Sequence, residues 1–440
     1  MRRWVVALAC LALALIGCSL RDRPPEPGSG PAPSPPTSRG VAPAPVKTQI
    51  KTALKQRAAA IRRGSGPRFE RGLADADGAF ADQQREYFDN LQQLPVQRYG
   101  LTFNARNVLR VGRSYWVVVA VRMQLGGVDE APVVYRDRYR FTPGGAGRFK
   151  LDSVTDQAWE QRNHVVEQPW DAGPIVVASR GGVVLVADAA DARRAPVLLN
   201  ALSGAVSDVA VQLPSVWDGR VLVFAPGDTT LLESLPDLPG DPARLDAVAY
   251  PVPADDTAAH SPRAATRVVL SPELIEGGTT ALSRDRLLRH ELTHVALGGR
   301  AEGVAAWLSE GLAEWVSVQP LPTAKRTVSS AAIQVARSGA ATLPTTAAFD
   351  DARAAAHYGL AWWAIEALRA DGVDPWQLLA QAHATYEAER GDAGRDPSQA
   401  ADIRTADALR SVTGLRPGQL ARRAAVALVT AYGREAIARE

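Results

Sequence analysis

The segment His290-Glu291-Leu292-Thr293-His294 places two imidazoles four residues apart with a carboxylate between them. On an α-helix, residues i and i+4 lie one above the other on one face, so both imidazoles can converge on a single ion. Imidazole nitrogens suit Zn²⁺, which they bind at ~2.0–2.1 Å. Glu291 stands one position after the first imidazole. There it comes close to such an ion without ligating it and can act as general base. A second segment, Trp307-Leu308-Ser309-Glu310-Gly311-Leu312-Ala313-Glu314, follows. Val304, Leu308, Leu312 and Trp315 form a core-facing stripe at helical spacing, and Glu310 and Glu314 sit four apart on another face. Glu310 is the candidate third ligand. Glu314 is placed to accept the outer N–H of a ligand histidine and so fix its tautomer. One Zn²⁺ per chain is expected, with water in the fourth place.

The pair HELTH and WLSEGLAEW resembles the gluzincin metallopeptidases, the clan of thermolysin and the thermolysin-like aminopeptidases. It looks most like the minimal peptidase-MA-like domains of bacteria. The resemblance implies His290, His294 and Glu310 as zinc ligands, Glu291 as the base, and Glu314 as the acid that orients a ligand histidine. It covers about residues 174–440, and some 25 residues carry it sharply. The gap from His294 to Glu310 is shorter than in the aminopeptidases, so the joining loop must be tight. Gly298, Gly299 and Gly303 could allow that. No G-x-M-E-N motif occurs upstream, which argues against recognition of a free N-terminus. The metzincin pattern fails because its third histidine would fall at Arg300.

Peptide hydrolysis also needs a donor for the developing oxyanion. His357 and Tyr358 open an aromatic-rich stretch with Trp362 and Trp363. In related clan members a Tyr or His on a later helix plays this part. Tyr358 is the first choice and His357 the second, against a plain packing role. His164, His260 and His383 have no acidic or histidine partner at ligand spacing and read as structural or solvated.

These residues need elements to hold them. Helices are expected at 284–297, 304–317, 346–370, 375–389, 400–412 and 417–437, with a long loop near 318–328. Ser283 is the candidate N-cap of the first, and Gly298-Gly299 ends it. Ahead of them, 174–178 and 183–187 read as a hairpin about Gly181-Gly182. A helix at 192–213, a strand at Val221–Ala225, a loop rich in Pro and Asp at 226–263 and a strand at Arg267–Ser271 follow. That last strand would be the edge that pairs with an extended substrate. Earlier still, helices at 46–63 and 73–91 precede strand-like runs at 98–103, 115–125, 133–141 and 149–154. In the third run Tyr135, Tyr139 and Phe141 share a face at a period of two. This order resembles an NTF2-like or cystatin-like cone. The fold class is therefore α+β. An NTF2-like domain (46–163) precedes a gluzincin-like peptidase domain (174–440), itself a small sheet with a mainly helical C-terminal part. That boundary predicts that a chain starting near Gly173 folds and binds metal without 46–163.

The N-terminus carries a targeting signal. Arg2 and Arg3 precede an apolar run from Val5 to Ile16, and Leu15-Ile16-Gly17-Cys18 resembles a bacterial lipobox. Residues 1–18 are expected to be a lipoprotein signal peptide that ends at an acylated Cys18. Residues 19–45 are a Pro-rich linker, with nine prolines in 21–45. The only other cysteine, Cys10, lies in the removed segment, so the mature fold would hold no disulfide. Removing Arg2 and Arg3 takes the net charge of +3 down to +1. Such a charge favours no nucleic-acid partner and leaves membrane attachment to the acyl chains. Together these features predict a membrane-anchored, extracytoplasmic zinc metallopeptidase acting on a peptide or protein substrate. The rivals are a lipid-anchored binding or scaffold protein with a silent zinc site, and a zinc amidase acting on cell-wall peptides. An intact Glu291 argues against the silent site.

Overall fold

The computed structural model describes residues 40–75, 78–236, 238, 245–255, 261–276, 279–389 and 396–432. The signal segment, Cys18, most of the linker, His260 and residues 433–437 of the last expected helix lie outside the described residues. The chain is of mixed helix and strand with small sheets, as an α+β class requires. Arg39–Glu440 forms one compact unit.

The chain enters through β1 (Gly40–Val41), α1 (Ala44–Arg62), α2 (Gly66–Glu70) and α3 (Ala79–Gln93). An antiparallel meander follows: β2 (Val96–Val111), β3 (Ser114–Leu125), β4 (Val133–Pro143) and β5 (Phe149–Ser153), in the order β1-β2-β3-β4-β5. Two expectations shift here. Gly40–Val41 pairs with Arg110 and Leu109, and Ala44 and Pro45 already belong to α1, so the end of the linker is folded. The second helix begins at Ala79 rather than 73, because Leu73 bridges to Leu151 and Gly78 is the cap. In β3 the residues Tyr115, Val117, Val119 and Val121 are buried and their neighbours are not. This period of two turns one face of the sheet onto α1 and α3.

Short helices α4 (Gln157–Arg162) and α5 (Pro169–Ala172) lead into the second sheet. It contains β6 (Ile175–Arg180), β7 (Val183–Asp188), α6 (Ala195–Gln212), β8 (Val221–Ala225), α7 (Thr230–Ser234), β9 (Ala247–Pro253) and β10 (Arg263–Leu270). The strand order is β6-β7-β8-β10-β9, parallel from β7 through β8 to β10 and antiparallel at both edges. The runs VVLVA and VLVFA are apolar without alternation because both faces of β7 and β8 are covered. Val183, Leu185, Val221, Val223 and Val268 face the later helices. Val184, Val186, Leu222, Phe224, Val248 and Val269 join the core of the first sheet.

The strand near Arg267–Ser271 exists, but it is not an edge. β9 lies outside it, in the segment read as loop. Its Pro251 and Pro253 discourage a strand assignment, yet an edge strand tolerates proline where the N–H points away from the ladder. A buried ion pair, Arg267 Nη2 to Asp129 Oδ1 at 3.5 Å, clasps β10 to the β3–β4 turn.

The rest is helical: α8 (Pro272–Glu276), α9 (Ala281–Leu297), α10 (Ala306–Val318), α11 (Ser330–Arg337), α12 (Ala354–Ala370), α13 (Pro375–Glu389), α14 (Pro397–Thr413) and α15 (Pro417–Tyr432). α9 is capped by Thr280, whose hydroxyl accepts from the Ser283 N–H at 3.2 Å; Ser283 lies inside the first turn instead of capping it. It ends at Gly298, where φ is +53°. α11 was not expected. The single helix read over 346–370 is a 3₁₀ turn at Thr346–Asp350 followed by α12. No helix among the described residues is long and apolar enough to cross a membrane.

Candidate metal centre

α9 and α10 bring the expected ligands together. His290 Nε2 lies 3.2 Å from His294 Nε2, and each lies 3.2 Å from Glu310 Oε2. These three residues form a group able to hold a metal ion. Tetrahedral zinc with ~2.0–2.1 Å bonds needs donor atoms roughly 3.3 Å apart, so the triangle has the right size. Its chemistry fits too. Two neutral imidazole nitrogens and a carboxylate oxygen at these distances can each offer a lone pair to one centre, an arrangement that is repulsive unless a cation or a proton sits between them.

The positions follow from packing. Arg289, next to His290 on α9, donates from Nε to the Ser317 carbonyl at 2.7 Å and from Nη1 to Asp208 at 3.2 Å. This ties α9 to α10 and α6. Next to Glu310, a Cβ at Gly311 would stand 2.6 Å from the Ala361 carbonyl oxygen. Glycine therefore lets α12 approach α10 closely.

Around the triangle, each candidate has a definite place. His290 Nδ1 faces Glu314 Oε1 at 3.3 Å, although the two are not aligned as a full hydrogen bond. Burial alone would lower the His290 pKa, but the carboxylates of Glu310 and Glu314 push it well up. Burial would raise the Glu310 carboxyl, yet the His294 and His290 imidazoles hold it far below the carboxylate range. Glu314 is half-buried, and its contacts to His290 and Arg286 bring it down to about 2. The carboxylates of Glu310 and Glu314 thus stay ionised beside the imidazoles. Glu291 stays outside the triangle. It is buried, and its Oε2 accepts the Ala249 N–H at 2.6 Å. Burial raises its pKa against the opposing pull of the two imidazoles, which strengthens it as a base.

Tyr358, at the start of α12, sets its ring 5.9 Å from that of His290, with Phe349 edge-on at 5.1 Å. Burial and the carboxylates of Glu310, Glu291 and Glu314 keep its phenol protonated far above the ordinary range, so it retains a proton to donate. His357 turns away to Asp351, 3.2 Å from its Nε2. His383 Nδ1 lies 3.0 Å from the Glu302 carbonyl, and His164 sits in a turn at φ +50°. Neither belongs to the centre.

Comparison with protein-family models, curated proteins and solved structures finds no match. The geometry is therefore what speaks for the site.

Two contributors escaped the sequence. Ala249 acts through its backbone N–H, which no residue type announces. Arg286 donates from Nη2 to Glu314 Oε2 at 2.6 Å. Its spacing of four before His290 was visible, but only the placement of α10 gives that spacing meaning.

Proposed function

We propose that the chain is a lipid-anchored, extracytoplasmic zinc metallopeptidase of the gluzincin type that hydrolyses peptide bonds in peptides or proteins. In this reading residues 174–440 form the peptidase domain, and the helices and meander of 46–163 an NTF2-like or cystatin-like companion. Acylation at Cys18 would provide the anchor, a reading supported by the basic start, the apolar run Val5–Ile16, the LIGC sequence and the absence of cysteine after Cys18. The observation that carries the proposal is the triangle of His290, His294 and Glu310, with 3.2 Å sides and the Glu291 carboxylate beside it but outside it.

A zinc ion held by those three residues would polarise the scissile carbonyl and acidify a water molecule. Glu291 takes the proton of the attacking water and returns it to the leaving amine. Glu314 keeps His290 oriented. Tyr358 donates to the oxyanion that develops on the carbonyl. The edge strand beside the base is β9, whose Ala249 N–H is held by Glu291.

Glu291→Gln separates catalysis from structure. Zinc content and melting temperature should stay at wild-type values, while peptide turnover falls ~10²–10⁴-fold. Wild-type turnover in this variant would reject the mechanism. Zinc-loaded wild-type protein inert toward a broad peptide library but active on cell-wall fragments would favour the amidase instead.

A further inference from the structure

Glu314 has two carboxylate oxygens and two partners. Oε1 faces His290 Nδ1, and Oε2 accepts from Arg286 Nη2 at 2.6 Å. Arg286 and His290 are one turn apart on α9, and Glu310 and Glu314 are one turn apart on α10. His290 touches both acids, Glu310 through Nε2 and Glu314 through Nδ1. The four side chains therefore form a ladder across the two helices, with the metal-facing triangle at one end and Arg286 at the other.

Arg286 is itself fixed from two further sides. Its Nη1 donates to the Thr327 carbonyl at 2.9 Å, in the segment between α10 and α11. Its guanidinium lies 5.5 Å from the Trp362 ring centroid, on α12. A guanidinium gripped this way presents one N–H in a fixed direction, and a carboxylate that accepts it loses its freedom to rotate. Glu314 Oε1 is then held toward His290.

We infer that Arg286 is a positioning residue for the candidate zinc centre, acting through Glu314 on the orientation of His290. The inference rests on the metallopeptidase reading. Groups one step behind a metal ligand change metal affinity ~10–100-fold when removed, so the loss of Arg286 is expected at the lower end of that range. A simple clasp between helices would behave differently, lowering the stability of the metal-free protein and leaving metal affinity alone.

The test compares full-length wild type, Arg286→Gln, Arg286→Lys and Glu310→Ala. Zinc affinity is read by chelator competition, the Co²⁺-substituted centre by its visible absorption, and the metal-free protein by thermal melting. Arg286→Gln should weaken zinc about tenfold and shift the Co²⁺ bands, with metal-free melting unchanged. Lysine keeps the charge but loses the planar fork that grips Glu314 and the Thr327 carbonyl through separate nitrogens, so Arg286→Lys should fall between Gln and wild type. Wild-type affinity and Co²⁺ spectrum in Arg286→Gln overturn the inference, as does weakening that merely follows a drop in metal-free melting. If Arg286→Gln does not fold, Arg286→Lys decides, and a Lys variant identical to wild type overturns it. Should the wild type bind zinc and Glu310→Ala lose it, a negative Arg286 result sinks this inference alone. A wild type that takes up no zinc removes the parent reading with it.

Discussion

At the residue scale, Tyr358 and His357 are neighbours with opposite fates. Adjacent positions on a helix point about 100° apart, so one turns inward to His290 and the other out to Asp351. Tyr358→Phe should therefore lower turnover ~10²–10³-fold, the range for loss of an oxyanion donor, with zinc content unchanged. His357→Ala should leave turnover near wild type. Equal losses from both variants, measured with zinc content on the same preparations, would point to a packing role for this helix start. The cluster of His290, His294 and Glu310 was legible because H-E-x-x-H and the two acids four apart encode their geometry locally, within single helices. The choice between His357 and Tyr358 was not, because it depends on how α12 rolls against α10, and that is set by contacts such as Gly311 against Ala361.

At the element scale, β9 is the edge strand that β10 was expected to be. The reading failed for a physical reason. Long apolar runs mark interior strands, as in β7 and β8, while an edge strand can be short, mixed and interrupted by proline. The Ala249 N–H points outward to Glu291, so with a period of two Pro251 and Pro253 also face outward, where a missing N–H breaks no ladder bond. Ala249→Pro thus removes one donor from a strand that already accepts proline on that side. Zinc content and melting temperature should hold, while turnover falls ~10- to 100-fold. That matches the ~1.5–3 kcal/mol of a hydrogen bond to a charged group. Unchanged turnover would mean that the edge strand does not orient the base.

At the scale of the whole molecule, the second sheet is not free-standing. Seven of its apolar side chains, Ile175, Val184, Val186, Leu222, Phe224, Val248 and Val269, are buried in the core of the first sheet. Exposing them at ~1.5–3 kcal/mol each costs on the order of 10 kcal/mol, comparable to the whole stability of a domain. The sequence reading placed a domain boundary between 163 and 174, but the order of elements along a chain does not reveal that one face of a later sheet is covered by an earlier one. A chain beginning at Gly173 should be insoluble or unfolded by circular dichroism. A soluble, cooperatively melting fragment would show that the two layers are separable. Cys18→Ser addresses the other end of the chain and should move the protein out of the membrane fraction or leave it unprocessed. Unaltered fractionation and processing would remove the acyl anchor.

The outer side of β9 has one more effect. Exposed strand edges invite a neighbouring copy to add its own strand, the first step of edge-to-edge polymerisation. Here the donors such a neighbour would need are missing at Pro251 and Pro253 and engaged by Glu291 at Ala249. Copies crowded together on one surface would meet an edge that offers carbonyls without the matching N–H groups, so the ladder would not extend from molecule to molecule. The prolines that hid this strand from the sequence reading also keep it from acting as an aggregation seed.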